Sequence, residues 1–247
     1  MPIDPQGAQN EPFERRRPRW RKWAAAALAI LIIGNLAYWV MTQHTPGCSF
    51  YRPVKGKVLV AHAGGGLPDR MYPNSIGALE SSYARGLRGF EMDFRELPLG
   101  LMRTGHDKSD LLDPRSAWLS EVTDWLRRHP DTWLLVDMKT DNLRGLKIIA
   151  DAAPDLRRRI VPFVYADHQY DAVRSLDLSL PVYARFADDD PNWLDFANSH
   201  EFAAVALPEW HIADIPKVRH PVIVYTFDVM VKAPGAKMVI TNCMVPA

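Results

Sequence analysis

Short apolar runs alternate with amphipathic stretches along most of this chain. Eight runs rich in Val, Ile, Leu and Phe predict buried strands, at residues 57–61, 88–94, 132–138, 159–164, 181–185, 202–207, 221–226 and 237–241. Helical patterns lie between them at residues 76–85, 117–128, 143–152, 168–175 and 193–199, with shorter ones near Ile212 and Met230. Buried strands joined by helical crossovers favour parallel pairing.

The repeated order of strand and then helix predicts a closed (β/α)8 TIM barrel over residues 57–247. About 190 residues is short for this fold, so the barrel must be compact, with short loops and helices. A doubly wound open sheet is the alternative architecture.

The N-terminal part has a different character. Residues 14–22 are strongly basic, and residues 23–41 carry no charge. This uncharged run is long enough to cross a bilayer as a helix. The basic flank places the N-terminus in the cytoplasm and the barrel on the periplasmic or extracellular side of the cell membrane. We therefore expect a basic cytoplasmic segment at 1–22, a transmembrane anchor at 23–41 and a linker at 42–56. A cleaved signal peptide is the alternative to an anchor.

Composition adds little beyond this division. The chain has 247 residues, 47% apolar residues and a net charge of +1, which are ordinary values for a globular protein. The basic segment is explained by the apolar run beside it, so we expect no nucleic-acid partner. Cys48 and Cys243 are the two cysteines; export would permit a disulfide between them, and two free thiols are the alternative.

Two acids interrupt the second predicted strand. Glu91 and Asp93 stand two residues apart in the apolar stretch Gly-Phe-Glu-Met-Asp-Phe. Side chains at i and i+2 of a strand point the same way, so the two carboxylates lie together and repel each other. A divalent cation relieves this repulsion, and oxygen ligands suit Mg²⁺ or Ca²⁺.

Further ionisable residues follow the same strands. His62 closes the first strand and His106 follows the second, while Asp137 and Lys139 end the third. Because the carboxyl ends of barrel strands form the catalytic face, these groups predict a cation-assisted acid/base site. The glycines after His62 allow either close approach of an anion or a plain turn.

With these residues the chain resembles the glycerophosphodiester phosphodiesterase family, part of the wider group of phospholipase-C-like phosphodiesterase barrels. The likeness runs through the whole predicted barrel, in this order: Val60-Ala-His-Ala-Gly-Gly65, Tyr72-Pro-Asn-Ser75, Gly89-Phe-Glu-Met-Asp93, Gly105-His-Asp107, Asp137-Met-Lys139, Pro162-Phe-Val-Tyr165, Val224-Tyr-Thr-Phe-Asp228 and Val239-Ile-Thr-Asn242.

The resemblance implies a metal-dependent hydrolase of a glycerophosphodiester or a lipid head-group phosphodiester. It implies that His62 and His106 are the general acid and base and that Lys139 contacts the phosphate. Glu91, Asp93 and Asp137 would hold one divalent cation, Mg²⁺ or Ca²⁺. A lyase that releases a cyclic phosphate, and a membrane-tethered binding protein without turnover, are the alternatives.

The chain also departs from the family pattern. Ala63 stands where the family usually has Arg after the first His, and Tyr72-Pro73-Asn74-Ser75 stands for Pro-Glu-Asn-Thr. Asp137 replaces a Glu as the third acid and is one carbon shorter. A missing Arg removes a bidentate phosphate contact, so these departures bear on the substrate.

Overall fold

The structure is a computed structural model that describes residues 23–24, 27–34, 47–185, 190–225 and 235–247. The chain divides into two compact units, Met1–Gln43 and His44–Ala247.

The N-terminal unit bears on the predicted anchor. Of the span predicted at residues 23–41, the structure describes residues 23–24 and 27–34, which are helical and exposed. The rest of that span and the basic segment 1–22 lie outside the described residues. Within the described part, no helix combines the length and apolar character that crossing a bilayer requires. The anchor therefore stays a prediction.

The second unit is a closed barrel of eight parallel strands. They are β2 (Val58–Ala61), β3 (Gly89–Glu96), β5 (Trp133–Met138), β6 (Ile160–Val164), β7 (Val182–Ala184), β8 (Ala204–Pro208), β9 (Val222–Tyr225) and β10 (Met238–Thr241). Neighbours pair in parallel around the ring, and β2 closes it by pairing with both β3 and β10. The predicted barrel is confirmed, and this closure rules out the open sheet.

Helices connect the strands where the amphipathic patterns predict them. They are α1 (Ile76–Ala84), α2 (Leu119–Arg128), α3 (Asn142–Ala152), α4 (Tyr170–Arg174) and α5 (Trp193–Ser199), and a 3-10 segment (Glu209–Lys217) follows β8. Side-chain caps fix the N-terminal ends of two helices. The Ser75 side chain accepts a hydrogen bond from the Ala78 N–H at the start of α1, and the Asp141 side chain accepts one from the Arg144 N–H at the start of α3. The short helix predicted near Met230 lies outside the described residues.

Three short strands were not predicted. β4 (Met102–Thr104) pairs antiparallel with the end of β3 and forms a hairpin beyond the barrel. β1 (Arg52–Val54) pairs in parallel with β11 (Met244–Pro246) in a separate two-stranded sheet. β1 falls in the segment 42–56 that was expected to be a linker. Strand pairing therefore ties residues 52–54 of this segment to the C-terminal end of the chain.

A disulfide strengthens the same attachment. Cys48 and Cys243 are bonded, with their Cα atoms 5.6 Å apart. The pairing that the sequence left open is thus formed, and it joins the residues just before β1 to those just before β11.

Two apolar layers hold the barrel. Phe90, Met92 and Phe94 of β3 face outward into the larger layer between strands and helices. A smaller cluster fills the barrel interior, comprising Val60, Leu135, Phe163, Val182, Ala184, Ala204, Ala206, Ile223 and Ile240. Alternation along β3 then turns Glu91 and Asp93 inward, so that apolar burial on the outer face holds the two acids in the barrel.

Candidate active site

Three buried carboxylates form the centre of the site. Glu91 and Asp93 lie on β3 and Asp137 lies on β5, where Asp93 and Asp137 are directly paired in the sheet register. Glu91 is paired with Leu135 of the inner cluster. Ligand oxygens of all three acids lie within 4.8 Å of one another, and each side chain is buried. The structure thus brings together the three acids that the sequence singled out.

The loops after β2 position the first two acids. The Ala63 N–H donates to Glu91 Oε2 at 2.9 Å, with Ala63 itself in the left-handed region at φ 51°. Asn74 donates from Nδ2 to Asp93 Oδ2 at 2.7 Å and accepts the Asp93 N–H at Oδ1. Both carboxylates are thereby held in place by hydrogen bonds from the loop residues.

The third acid is held by two different side chains. The Tyr165 hydroxyl donates to Asp137 Oδ1 at 2.7 Å, and Lys139 Nζ donates to Asp137 Oδ2 at 2.9 Å. Burial and the nearby Asp137 raise the pKa of Tyr165 well above its usual value, so the phenol keeps the proton that it donates. Tyr165 follows directly after β6, at the same end of the barrel.

Lys139 lies among the carboxylates. Its ammonium is 3.0 Å from Asp93 Oδ1 and 2.9 Å from Asp137 Oδ2. Burial alone would lower the pKa of Lys139, but Asp93 and Asp137 outweigh it and raise that pKa. Lys139 therefore neutralises part of the charge of the acids, and the phosphate contact expected from the sequence stays a prediction.

The charges at this site do not balance. Three carboxylates and one ammonium leave a net charge of −2 when all are ionised. Burial, and then repulsion from Asp93 and Asp137, raise the pKa of Glu91 well above its usual value. A divalent cation would restore neutrality, and an all-oxygen donor set suits Mg²⁺ or Ca²⁺. The residues present therefore fit a single such ion.

His62 stands beside the acids at the end of β2. Its Nε2 is 3.9 Å from Glu91 Oε2, and the edge of its ring meets Tyr72 with the ring centroids 5.2 Å apart. The side chain of Asn242 also lies close enough to raise the pKa of His62. Burial lowers the pKa of His62 and outweighs the opposing effect of Asp93. The imidazole is therefore neutral at pH 7 and can accept a proton.

His106 lies on the loop after β4. Its side chain is 59% exposed, and its Nδ1 is 3.1 Å from Asp107 Oδ1. The preceding residue ties this loop to the site, because the Gly105 N–H donates to the Asp93 carbonyl at 3.0 Å. His106 therefore lies at the rim of the site, whereas His62 lies within it.

The glycines after His62 are explained by close packing. A Cβ on Gly65, where φ is +101°, would lie 2.0 Å from Ser82 Oγ, and one on Gly66 would lie 2.4 Å from Cys48 Sγ. The Gly66 N–H also donates to the Asn242 carbonyl. These contacts place the disulfide beside the loop that follows His62.

The sequence suggested no role for Asn74 and Tyr165, which bond to the acids, or for Asn242, which lies close to His62. A usable signal existed for two of them. Tyr165 and Asn242 are each the first residue after a barrel strand, and polar side chains at that position belong to the catalytic face.

Comparison with known proteins supports the fold. No protein-family model matches the chain, and no curated protein matches it. Among solved structures, it is similar to the glycerophosphodiester phosphodiesterase of Thermotoga maritima, at 14% identity over 75% of this chain and 94% of that chain, with a TM-score of 0.60.

Two further structures agree. The glycerophosphodiester phosphodiesterase of Agrobacterium tumefaciens matches at 14% identity over 75% of this chain and 96% of that chain, with a TM-score of 0.55. A phosphodiesterase of Oleispira antarctica, solved with the product sn-glycerol-3-phosphate, matches at 13% identity over 74% of this chain and 92% of that chain, with a TM-score of 0.56. The chain therefore has the barrel fold of the glycerophosphodiester phosphodiesterases, as its motifs predict.

Proposed function

We propose that this protein is a cation-dependent hydrolase of phosphodiesters, acting on a glycerophosphodiester or on the phosphodiester of a lipid head group. The observation that carries the proposal is the cluster of three buried carboxylates beside His62. Apolar packing alone gives no reason to bury acids at the catalytic end of a barrel, where they repel each other. Proteins with the same fold include glycerophosphodiester phosphodiesterases.

Glu91, Asp93 and Asp137 would hold one divalent cation, Mg²⁺ or Ca²⁺. When bound, that ion offsets the negative charge of the phosphodiester and of the transition state. Lys139 adds a second positive charge at the same place. Tyr165 and Asn74 fix the orientation of Asp137 and Asp93, and they would thereby support the two acids as ligands, which is the usual role of residues that bond to ligand side chains.

His62 accepts a proton in this scheme. Its neutral imidazole beside the acids takes the proton of the attacking hydroxyl, which is either water or a hydroxyl of the substrate. His106 donates a proton to the departing alkoxide from the rim of the site. Attack by the substrate's own hydroxyl gives a cyclic phosphate first, and water then opens it.

Phosphorus NMR of products from a panel of diesters tests the proposal. We expect a phosphomonoester from a glycerophosphodiester or a phospholipid with Mg²⁺ or Ca²⁺ present, and none with EDTA. Asp93→Asn should abolish turnover, whereas the control Asp195→Asn, on an exposed part of α5, should not. A cyclic phosphate as the final product would identify a lyase. No conversion of any diester would identify a binding protein.

We also propose that the N-terminal segment anchors the protein in the cell membrane, with the barrel on the periplasmic or extracellular side. The basic segment 14–22 and the uncharged residues 23–41 support this orientation. The disulfide supports an oxidising compartment for the barrel. Protease added outside intact cells, with any outer membrane permeabilised, should digest the barrel or its attachment. A barrel accessible only from the cytoplasm would contradict this topology.

A further inference from the structure

The turn between β3 and β4 displays aliphatic side chains to solvent. This hairpin tip, residues 97–101, has the sequence Leu-Pro-Leu-Gly-Leu and carries no charge. Leu99 at its apex is 97% exposed, and Leu101 is 52% exposed. Single exposed leucines are common on proteins, but here two of them share one uncharged turn.

The backbone of the hairpin tip makes this choice of residue more unusual. Leu99 has φ 67° and ψ 17°, and Gly100 has φ 72°. Leu97 donates its N–H to the Leu101 carbonyl at 2.7 Å, which closes the turn. Gly, Asn or Asp usually occupies a left-handed position in a tight hairpin. Leu99 therefore costs free energy twice in water, through its left-handed backbone conformation and through its exposed apolar side chain. Residues that are locally unfavourable in this way concentrate at functional positions.

The hairpin tip is continuous with the active site. β3 carries Glu91 and Asp93 before it runs into the tip, and β4 returns the chain to Gly105, whose N–H bonds to the Asp93 carbonyl. A third exposed leucine, Leu112, is 72% exposed and ends the 3-10 segment that follows His106. Exposed aliphatic side chains thus follow, in sequence, both the strand that bears two of the acids and the loop that bears His106.

We propose that the hairpin tip inserts into the apolar layer of a lipid bilayer and so presents the site to phosphodiesters of lipid head groups. The proposal rests on the proposed function and names its substrate as one held in a membrane. A bilayer accepts a single protruding aliphatic turn, since each buried methylene group contributes separately.

A protein partner fits this turn less well. A stable protein interface buries about 800 Å² on each partner, and five residues at the end of a hairpin offer far less. The sequence around the tip also carries balanced charge, with four basic residues (Arg95, Arg103, Lys108, Arg115) and four acidic residues (Glu96, Asp107, Asp110, Asp113) between positions 95 and 115, and Glu96 is paired with Arg144 of α3. Binding should therefore depend on apolar insertion and respond weakly to salt.

A fluorescent probe at the apex tests the insertion directly. The full chain with Leu99→Cys, labelled with an environment-sensitive dye without reducing the disulfide, is mixed with phosphatidylcholine vesicles. The matched control is Leu180→Cys, because Leu180 is 39% exposed and precedes β7, at the opposite end of the barrel. We expect a blue shift, and quenching by lipids brominated on their acyl chains, at position 99 only. No change at position 99, or equal changes at both positions, would overturn the proposal.

Leu99→Asn separates a functional role from a structural one. Asn suits the left-handed backbone, so the variant should unfold at the same temperature as the wild type or higher. Its rate on a diester in vesicles should fall on the order of tenfold, the value of one buried leucine side chain. Its rate on a water-soluble glycerophosphodiester should be unchanged, and Leu180→Asn should alter neither rate. Equal effects of Leu99→Asn on both substrates would count against the proposal. If no diester is turned over at all, the proposed function fails, while the probe at position 99 still decides the insertion.

Discussion

Glu91→Gln should make the cation-free protein more stable, although it removes a group of the proposed site. Glu91 is buried with Asp93 and Asp137, with ligand oxygens within 4.8 Å of one another. At an effective dielectric constant of about 20, two unit charges at that distance repel by about 3.5 kcal/mol. Gln has nearly the same shape, and its carbonyl can still accept the Ala63 N–H.

The net gain is smaller than the sum of both repulsions. Lys139 offsets part of them, and uptake of a proton by Glu91 limits the rest, so we expect about 2 kcal/mol at pH 7. For a domain of this size that is a rise in melting temperature of about 4–8 °C. A bound cation should make the wild type the more stable of the two proteins. At a cation concentration of a hundred times Kd, binding stabilises the wild type by about 2.7 kcal/mol, and Glu91→Gln gains less because it lacks one ligand.

Thermal unfolding in EDTA and in excess Mg²⁺ or Ca²⁺ measures both effects. We expect Glu91→Gln to melt above the wild type in EDTA and below it with the cation. Glu201→Gln, at an exposed position, is the control and should melt with the wild type in both buffers. A wild type that is more stable than Glu91→Gln in EDTA would refute the repulsion argument. Equal cation-induced shifts in the two proteins would refute Glu91 as a ligand.

Four further predictions follow from the same contacts. Folding raises the pKa of Glu91 above 4.5, so above that pH the folded state holds a proton that the unfolded chain has released. The unfolding free energy of the cation-free protein should therefore fall as the pH rises from 4.5 through the pKa of folded Glu91. The difference in melting temperature between the wild type and Glu91→Gln should narrow on acidification. His62→Ala should lower turnover by about 10²–10⁴-fold and keep the cation-induced melting shift; loss of that shift would make His62 a ligand. Tyr165→Phe should weaken cation affinity by about 10–100-fold in calorimetry, and an unchanged affinity would contradict its positioning role. Reduction of the disulfide between Cys48 and Cys243, which are 195 residues apart, should cost about 5 kcal/mol of unfolding free energy by the chain-entropy argument, and an unchanged denaturation midpoint would contradict it.

The barrel and the acids could be predicted because each depends on a local pattern. Buried parallel strands are continuous apolar runs, so polar residues such as Glu91 and Asp137 stand out within them. The rule that catalytic groups occupy the carboxyl ends of barrel strands then brings distant segments to one place.

Other features depend on contacts that local patterns do not encode. β1 and β11 have three residues each, too few for a recognisable period, and they form by pairing across nearly the whole domain. The contacts of Lys139 with Asp93 and Asp137 depend on the distance between two strands. The exposure of His106 is set by the course of its loop. Nine of the 19 residues of the predicted anchor lie outside the described residues, so the anchor is judged from the sequence.

The closure of the barrel has a consequence for the order of synthesis. β2, the first barrel strand to leave the ribosome, pairs with β10, the last, in the register Val58 with Met238. At about 5–20 residues per second, one edge of β2 lacks its partner for roughly 10–40 s after it is made. Cys243 is synthesised later still. Chains that stop short of β10 therefore keep an open strand edge and an unclosed disulfide, and an unpaired edge is a template for aggregation. Residues 238–247 thus decide whether the strands made before them close into a barrel.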